Sequence, residues 1–133
     1  MFPVDVAQKS AARQILVVED RQEVSKALRL VLTVGSGHKV ETAEDGERGL
    51  AKFQAGRFDL VITDLQMPKM DGLQMTRRIK QLAPGQPVLL ITAHAGAIKE
   101  AGGDRSEFDY VLEKPFNLPQ LHDALARFFP TVG

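Results

Sequence analysis

The chain has 133 residues, 44% apolar and 26% charged, with 17 basic and 17 acidic side chains. That size closes the core of one ordinary domain, and a formal net charge of zero gives no global field for nucleic acid or an anionic membrane. The lack of cysteine excludes disulfides, thiolate metal sites and cysteine nucleophiles; with no membrane-length apolar run and no signal-peptide core, a soluble, cytoplasmic protein is predicted.

Residues 1–13 mix Pro3, Ser10, alanines and charges without a sustained period and are expected to be a tail or linker. Ile15-Leu16-Val17-Val18 reads as a first strand buried on both faces, stopping abruptly at Glu19-Asp20. In the helix that follows, Val24, Ala27, Leu28, Val31 and Leu32 form one apolar stripe, and Gly35-Ser36-Gly37 ends it. His38 to Thr42 makes a short second strand. Asp45 caps a second helix, with Gly46, Gly49, Leu50 and Phe53 on one face and Gly56 as the stop.

Leu60-Val61-Ile62 is a third buried strand, ending in Thr63-Asp64 and a loop that contains Pro68. Gly72 to about Leu82 reads as a third helix, with Met75, Ile79 and Leu82 inward and Pro84-Gly85 breaking it. Val88 to Ile91 is a fourth strand ending in Thr92. Ala95 to Gly103 is rich in small residues, which predicts a short or mobile fourth helix. Tyr110 to Leu112 is a brief fifth strand ending at Lys114-Pro115. Asn117 caps a last helix with Leu121, Ala124, Leu125, Phe128 and Phe129 inward, and Pro130 ends it. Strand and helix alternate five times, so a doubly wound parallel sheet with right-handed crossovers is predicted.

Polar groups end four of these strands: Glu19 and Asp20, Asp64, Thr92, and Lys114. In a parallel sheet all those ends share one edge, where open α/β sheets bind ligands. Gathered carboxylates repel one another unless a cation intervenes. Mg²⁺ suits the set, because it is held by one or two carboxylates, waters and phosphate oxygens. Lys114 and Thr92 would then serve a phosphoryl group as point charge and hydroxyl donor, and Asp64 as its nucleophile. Taken singly, each residue has an ordinary use: Asp64 in a turn, Glu19-Asp20 beside a helix N-terminus, Thr92 in a strand, and Lys114 and His94 in solvent. Their joint placement is what argues for chemistry.

The segments ILVVED, LVITDLQMPKMDG, LLITA and EKPF, in this order and spacing, resemble receiver domains of two-component response regulators, over roughly Gln14 to Phe129. The resemblance implies the flavodoxin-like (βα)5 fold with strand order 2-1-3-4-5, a receiver unit spanning 14–130, and a residual tail at 131–133. It implies phosphorylation of Asp64 by a sensor histidine kinase or a histidine phosphotransfer protein. It implies Mg²⁺ (or Mn²⁺) held by Asp20, Asp64 and the Gln66 backbone carbonyl, with Glu19 acting partly through water. A cis Lys114–Pro115 peptide is expected. The resemblance also implies that Gln66 and His94 occupy the positions that flank the phosphoryl group and help set its lifetime.

One departure is plain. Receivers commonly carry Tyr or Phe three residues before the lysine, as a switch residue paired with the hydroxyl of Thr92. Here that residue is Val111, and alternation puts Tyr110 on the opposite face. More of the response is therefore expected from helix four and its loop. The contact surface implied for a downstream protein is helix four, strand five and helix five, without nucleic-acid binding or a membrane. Only Pro130 to Gly133 follow the last helix, so either a free-standing receiver or one cut from a larger regulator or hybrid kinase is expected. The main alternative is a pseudo-receiver, a phosphorylation-independent binding module; the intact polar set argues against it. A dehalogenase-type phosphohydrolase would want a second Asp where Gln66 stands, and a flavin carrier would want a phosphate cradle after the first strand. Self-catalysed phosphorylation and dephosphorylation are expected, without conventional enzymatic turnover.

Overall fold

Each strand alternates its side chains between two apolar layers, and this alternation organises the molecule. The computed structural model describes residues 12–129 except Ser36. The predicted tail up to Ala11, Ser36 of the helix stop, Pro130 and the residual 131–133 lie outside the described residues. Five parallel strands, β1 (Gln14–Val18), β2 (Lys39–Ala43), β3 (Leu60–Thr63), β4 (Val88–Thr92) and β5 (Tyr110–Glu113), form one sheet in the order β2-β1-β3-β4-β5. The helices are α1 (Gln22–Leu30), α2 (Gly46–Ala55), α3 (Gly72–Leu82), α4 (Gly96–Glu100) and α5 (Leu118–Ala126). This is the doubly wound sheet that the strand–helix alternation predicts, in the flavodoxin-like order that the family resemblance implies.

Leu16, Val18, Val61, Val88, Leu90 and Val111 face the layer of α2, α3 and α4, where Leu50, Leu73, Met75, Ile79 and Ile98 meet them. Ile15, Val17, Leu60, Ile62, Leu89, Ile91 and Leu112 face Leu28 and Leu32 on one side and Leu121, Ala124 and Leu125 of α5 on the other. A strand covered on both faces has no polar side to show, which is why β1, β3 and β4 are continuous apolar runs. β2 lies at the sheet edge and is largely exposed until Ala43.

Helix ends follow side-chain chemistry. Asp45 accepts from the Arg48 N–H at the start of α2, and Asp71 and Asn117 form reciprocal capping boxes with Gln74 and Gln120. α1 ends in a π turn, Val31–Gly35. Two positions of the predicted stripes turn outward. Ala27 is exposed, and Leu82, the last residue of α3, is 55% exposed. A 3₁₀ turn, Arg105–Glu107, precedes β5; its Asp104 and Glu107 make the acid-x-x-acid capping signature, readable in the sequence but not anticipated. Tyr110 packs against the α1/α5 layer with the Arg127 guanidinium 4.4 Å above its ring. Val111 is buried on the other side, as alternation requires.

Candidate functional site

The site is built where backbone pairing runs one residue past the strands. Asp64 N–H donates to the Val18 carbonyl at 3.1 Å, Glu19 N–H to Ala43 at 2.9 Å, and Lys114 N–H to Thr92 at 2.8 Å. Glu19, Asp64 and Lys114 are thereby fixed side by side at the carboxyl edge of the sheet. The Lys114–Pro115 peptide is cis. Behind Asp64, Gly72 comes so close that a Cβ there would lie 2.0 Å from the Asp64 carbonyl oxygen. Only glycine lets α3 start against the loop after Asp64, and its N–H donates to the Leu65 carbonyl at 2.7 Å.

Lys114 Nζ lies 3.6 Å from Asp64 Oδ2 and 3.5 Å from Glu19 Oε1. Asp64 Oδ1 accepts from the Leu65 N–H at 2.7 Å, leaving Oδ2 toward the lysine. Glu19 is 4% exposed; its Oε2 accepts from the Arg21 N–H at 3.0 Å. Burial pushes the Glu19 carboxyl above the usual carboxylate range, offset by the Arg21 N–H; the charge of Asp64 raises it further and Lys114 lowers it. Glu19, Asp20 and Asp64 each present an oxygen within 4.8 Å of the others. One ammonium does not balance three carboxylates, and a small divalent ion with oxygen ligands fits the excess of negative charge.

Thr92 is buried at the end of β4, and its Oγ1 donates to the His94 carbonyl at 3.3 Å. Gln66 and the His94 side chain are exposed in the two flanking loops. Glu19, Asp20, Asp64, Lys114 and Thr92 therefore come to one edge from β1, β3, β4 and β5. Val111 stands apart in the core between the sheet and α3/α4. Glu113 was not singled out: its Oε2 accepts from the Ala95 N–H at 2.9 Å. An exposed glutamate beside a lysine carries no sequence signal for that contact.

The profile of the response regulator receiver domain family matches residues 15–126. The chain belongs to that family, and it is a phospho-accepting signalling domain by class. It is 39% identical over 109 residues to the response regulator ArlR of Staphylococcus aureus, a match covering 81% of this chain and 48% of that protein. The chain thus spans about half the length of the curated relatives it matches. Among solved structures, the response regulator protein TrrA of Thermotoga maritima, in complex with Mg²⁺ and BeF, superposes with a TM-score of 0.79 at 30% identity, covering 87% of this chain and 98% of that one. The Vibrio cholerae chemotaxis protein CheY4 gives a TM-score of 0.79 at 32% identity, covering 89% and 99%.

Proposed function

We propose that Asp64 takes a phosphoryl group from the phosphohistidine of a sensor histidine kinase or a histidine phosphotransfer protein. The observation that carries this is the placement of the Asp64 carboxylate close to Lys114, Glu19 and Asp20, with Lys114 in reach of both Asp64 and Glu19. Oδ2 forms the new bond to phosphorus as the phosphorus–nitrogen bond breaks, and that electron pair returns to the imidazole. Lys114 neutralises charge on the transferring oxygens, and the chain's contribution is positioning and electrostatics. Thr92 Oγ1 then turns from the His94 carbonyl to a phosphoryl oxygen.

Glu19, Asp20, Asp64 and the Gln66 backbone carbonyl would hold Mg²⁺ or Mn²⁺, and the Mg²⁺–BeF complex of TrrA supports the same ligand class here. When bound, the ion supplies further neutralisation of phosphoryl charge. Gln66 and His94 flank the acceptor and set the lifetime of the acyl phosphate, so exchanging them changes dephosphorylation more than phosphorylation; equal effects on both rates would count against that role. The receiver unit spans 14–130, between tails at 1–13 and 131–133. It acts in the cytoplasm and signals to a protein partner through the face of α4, β5 and α5, without touching nucleic acid. It catalyses its own phosphorylation and dephosphorylation, with no other substrate turned over.

The test is incubation with Mg²⁺ and acetyl phosphate or beryllofluoride, followed by intact mass and backbone amide shifts. Wild type gains a phosphoryl mass and shifts around Asp64 and Thr92; Asp64→Asn does neither. A wild type that gives no Mg²⁺-dependent change leaves the phosphorylation-independent binding module as the reading.

A further inference from the structure

Glu113 has no part in the phosphoryl chemistry above, yet it holds the loop that the sensing hydroxyl rests on. It ends β5 and stands opposite Thr92 in the β4–β5 register. Its carboxylate accepts from the Ala95 N–H at 2.9 Å. Ala95 is the N-cap residue of α4, and Ile98, at the third helical position, has no side-chain oxygen to reach back to the Ala95 N–H as in a capping box, so a carboxylate from the neighbouring strand satisfies that amide. Within the same loop, the His94 carbonyl accepts from Thr92 Oγ1 at 3.3 Å and from the Ala97 N–H at 3.2 Å. The loop is thus tied from inside by the Thr92 hydroxyl and from outside by Glu113.

These ties differ in what they permit. The Thr92 backbone is fixed, because its carbonyl accepts from the Lys114 N–H at 2.8 Å. Its hydroxyl carries a single proton and donates one bond at a time. Contact with a phosphoryl oxygen on Asp64 therefore requires that the bond to His94 be given up. A loop held by Glu113 keeps the His94 carbonyl in place to compete for that proton.

We propose that Glu113 is a positioning residue for the Thr92 hydroxyl, and that its hold on Ala95 favours the resting arrangement over the phosphoryl-bound one. This rests on the reading of Asp64 as the acceptor. Glu113 is exposed, so its truncation leaves the core untouched. Releasing one net hydrogen bond of ~1 kcal/mol corresponds to about a fivefold change in an equilibrium.

The experiment is a beryllofluoride titration in excess Mg²⁺, followed through the amide signals of Thr92, His94 and Ala95, on wild type, Glu113→Ala and Glu113→Gln. Glu113→Ala is expected to bind beryllofluoride about fivefold more tightly, with the Ala95 amide displaced toward its bound position before any is added. Glu113→Gln, which keeps an acceptor oxygen, falls between. In a Thr92→Ala background the effect of Glu113→Ala should vanish, whereas a general effect on stability would persist. If wild type responds and Glu113→Ala binds equally or more weakly, or if the gain survives Thr92→Ala, the positioning role is overturned while the acceptor role of Asp64 stands. A wild type without any Mg²⁺-dependent response overturns both.

Discussion

The loops that follow β3 and β4 reach the same sheet edge, but they are held in different ways. The first runs into α3, an eleven-residue helix with a reciprocal capping box. It is pressed against the Asp64 carbonyl at Gly72 and bonded through the Gly72 N–H to Leu65. The second runs into α4, five residues long and without a side-chain cap from its own N-cap residue. At its start α4 is held by two side-chain hydrogen bonds, from Thr92 Oγ1 to the His94 carbonyl and from the Ala95 N–H to Glu113. Beyond its end, a fork from Arg77 Nε and a terminal nitrogen reaches the two Glu107 oxygens at 2.7 and 3.0 Å, with the Gly102 carbonyl 3.2 Å away. On the function proposed for Asp64, the contrast separates two tasks. A nucleophile is useful only where the lysine and its carboxylate neighbours are fixed around it, while a segment that reports on it needs at least two accessible arrangements.

Breaking the tight side should have the largest effect. Gly72→Ala puts a methyl group 2.0 Å from a backbone oxygen, where no flexible side chain can give way. A loss of about 3 kcal/mol in unfolding free energy is expected, measured by urea denaturation, together with displaced amide signals at Asp64 and Leu65. A loss below about 0.5 kcal/mol would mean that the loop after Asp64 is not rigid.

Acid probes the far anchor of α4. The Arg77 guanidinium beside Glu107 holds that carboxyl below its usual value, helped by the Asp104 N–H. The folded state therefore binds the proton less readily than the unfolded chain. The stability contributed is present above pH 4.5, the ordinary value of the group, and is lost as the pH falls below it. Glu107→Gln should flatten the fall in thermal midpoint below that pH. A second acid-sensitive contact lies at higher pH. Burial, aided by the charge of Arg13, lowers the pKa of His38, and its Nδ1 accepts from the Arg13 N–H. Neutral His38 favours the folded state, so its contribution is full above pH 6.5 and declines below it; His38→Gln should remove that earlier decline.

The smallest effect is expected on the loose side. Gly96→Ala places a methyl 3.1 Å from His94 Nδ1, the end of an exposed side chain that can rotate away. Stability should change by no more than about 0.5 kcal/mol in the same urea measurement. A penalty close to that of Gly72→Ala would erase the contrast between the two loops.

Much of this was readable from residue type and spacing. β1, β3 and β4 announce themselves as uninterrupted apolar runs, and the predicted caps at Asp45 and Asn117 are both formed. The convergence of Glu19, Asp64, Thr92 and Lys114 followed once the strands were taken as parallel, because that topology alone gathers their ends. What escaped the sequence depended on tertiary distance. Periodicity assigns Leu82 to the inner face of α3, whereas as the last residue of that helix it is left exposed. Arg77 and Glu107 are 30 residues apart, and nothing local marks them as partners. The same holds for Glu113 and Ala95. The small-residue stretch after Thr92 did announce a short helix, and α4 has five residues.

Tyr110 offers a spectroscopic handle on these differences. It is the only tyrosine in a chain without tryptophan, so its phenol dominates near-ultraviolet emission and its signal needs no label. The ring lies under the Arg127 guanidinium, on the strand that delivers Glu113 and Lys114 to the site. A change in its emission on adding beryllofluoride and Mg²⁺ would report, in real time, whether an event at Asp64 reaches the surface shared by β5 and α5.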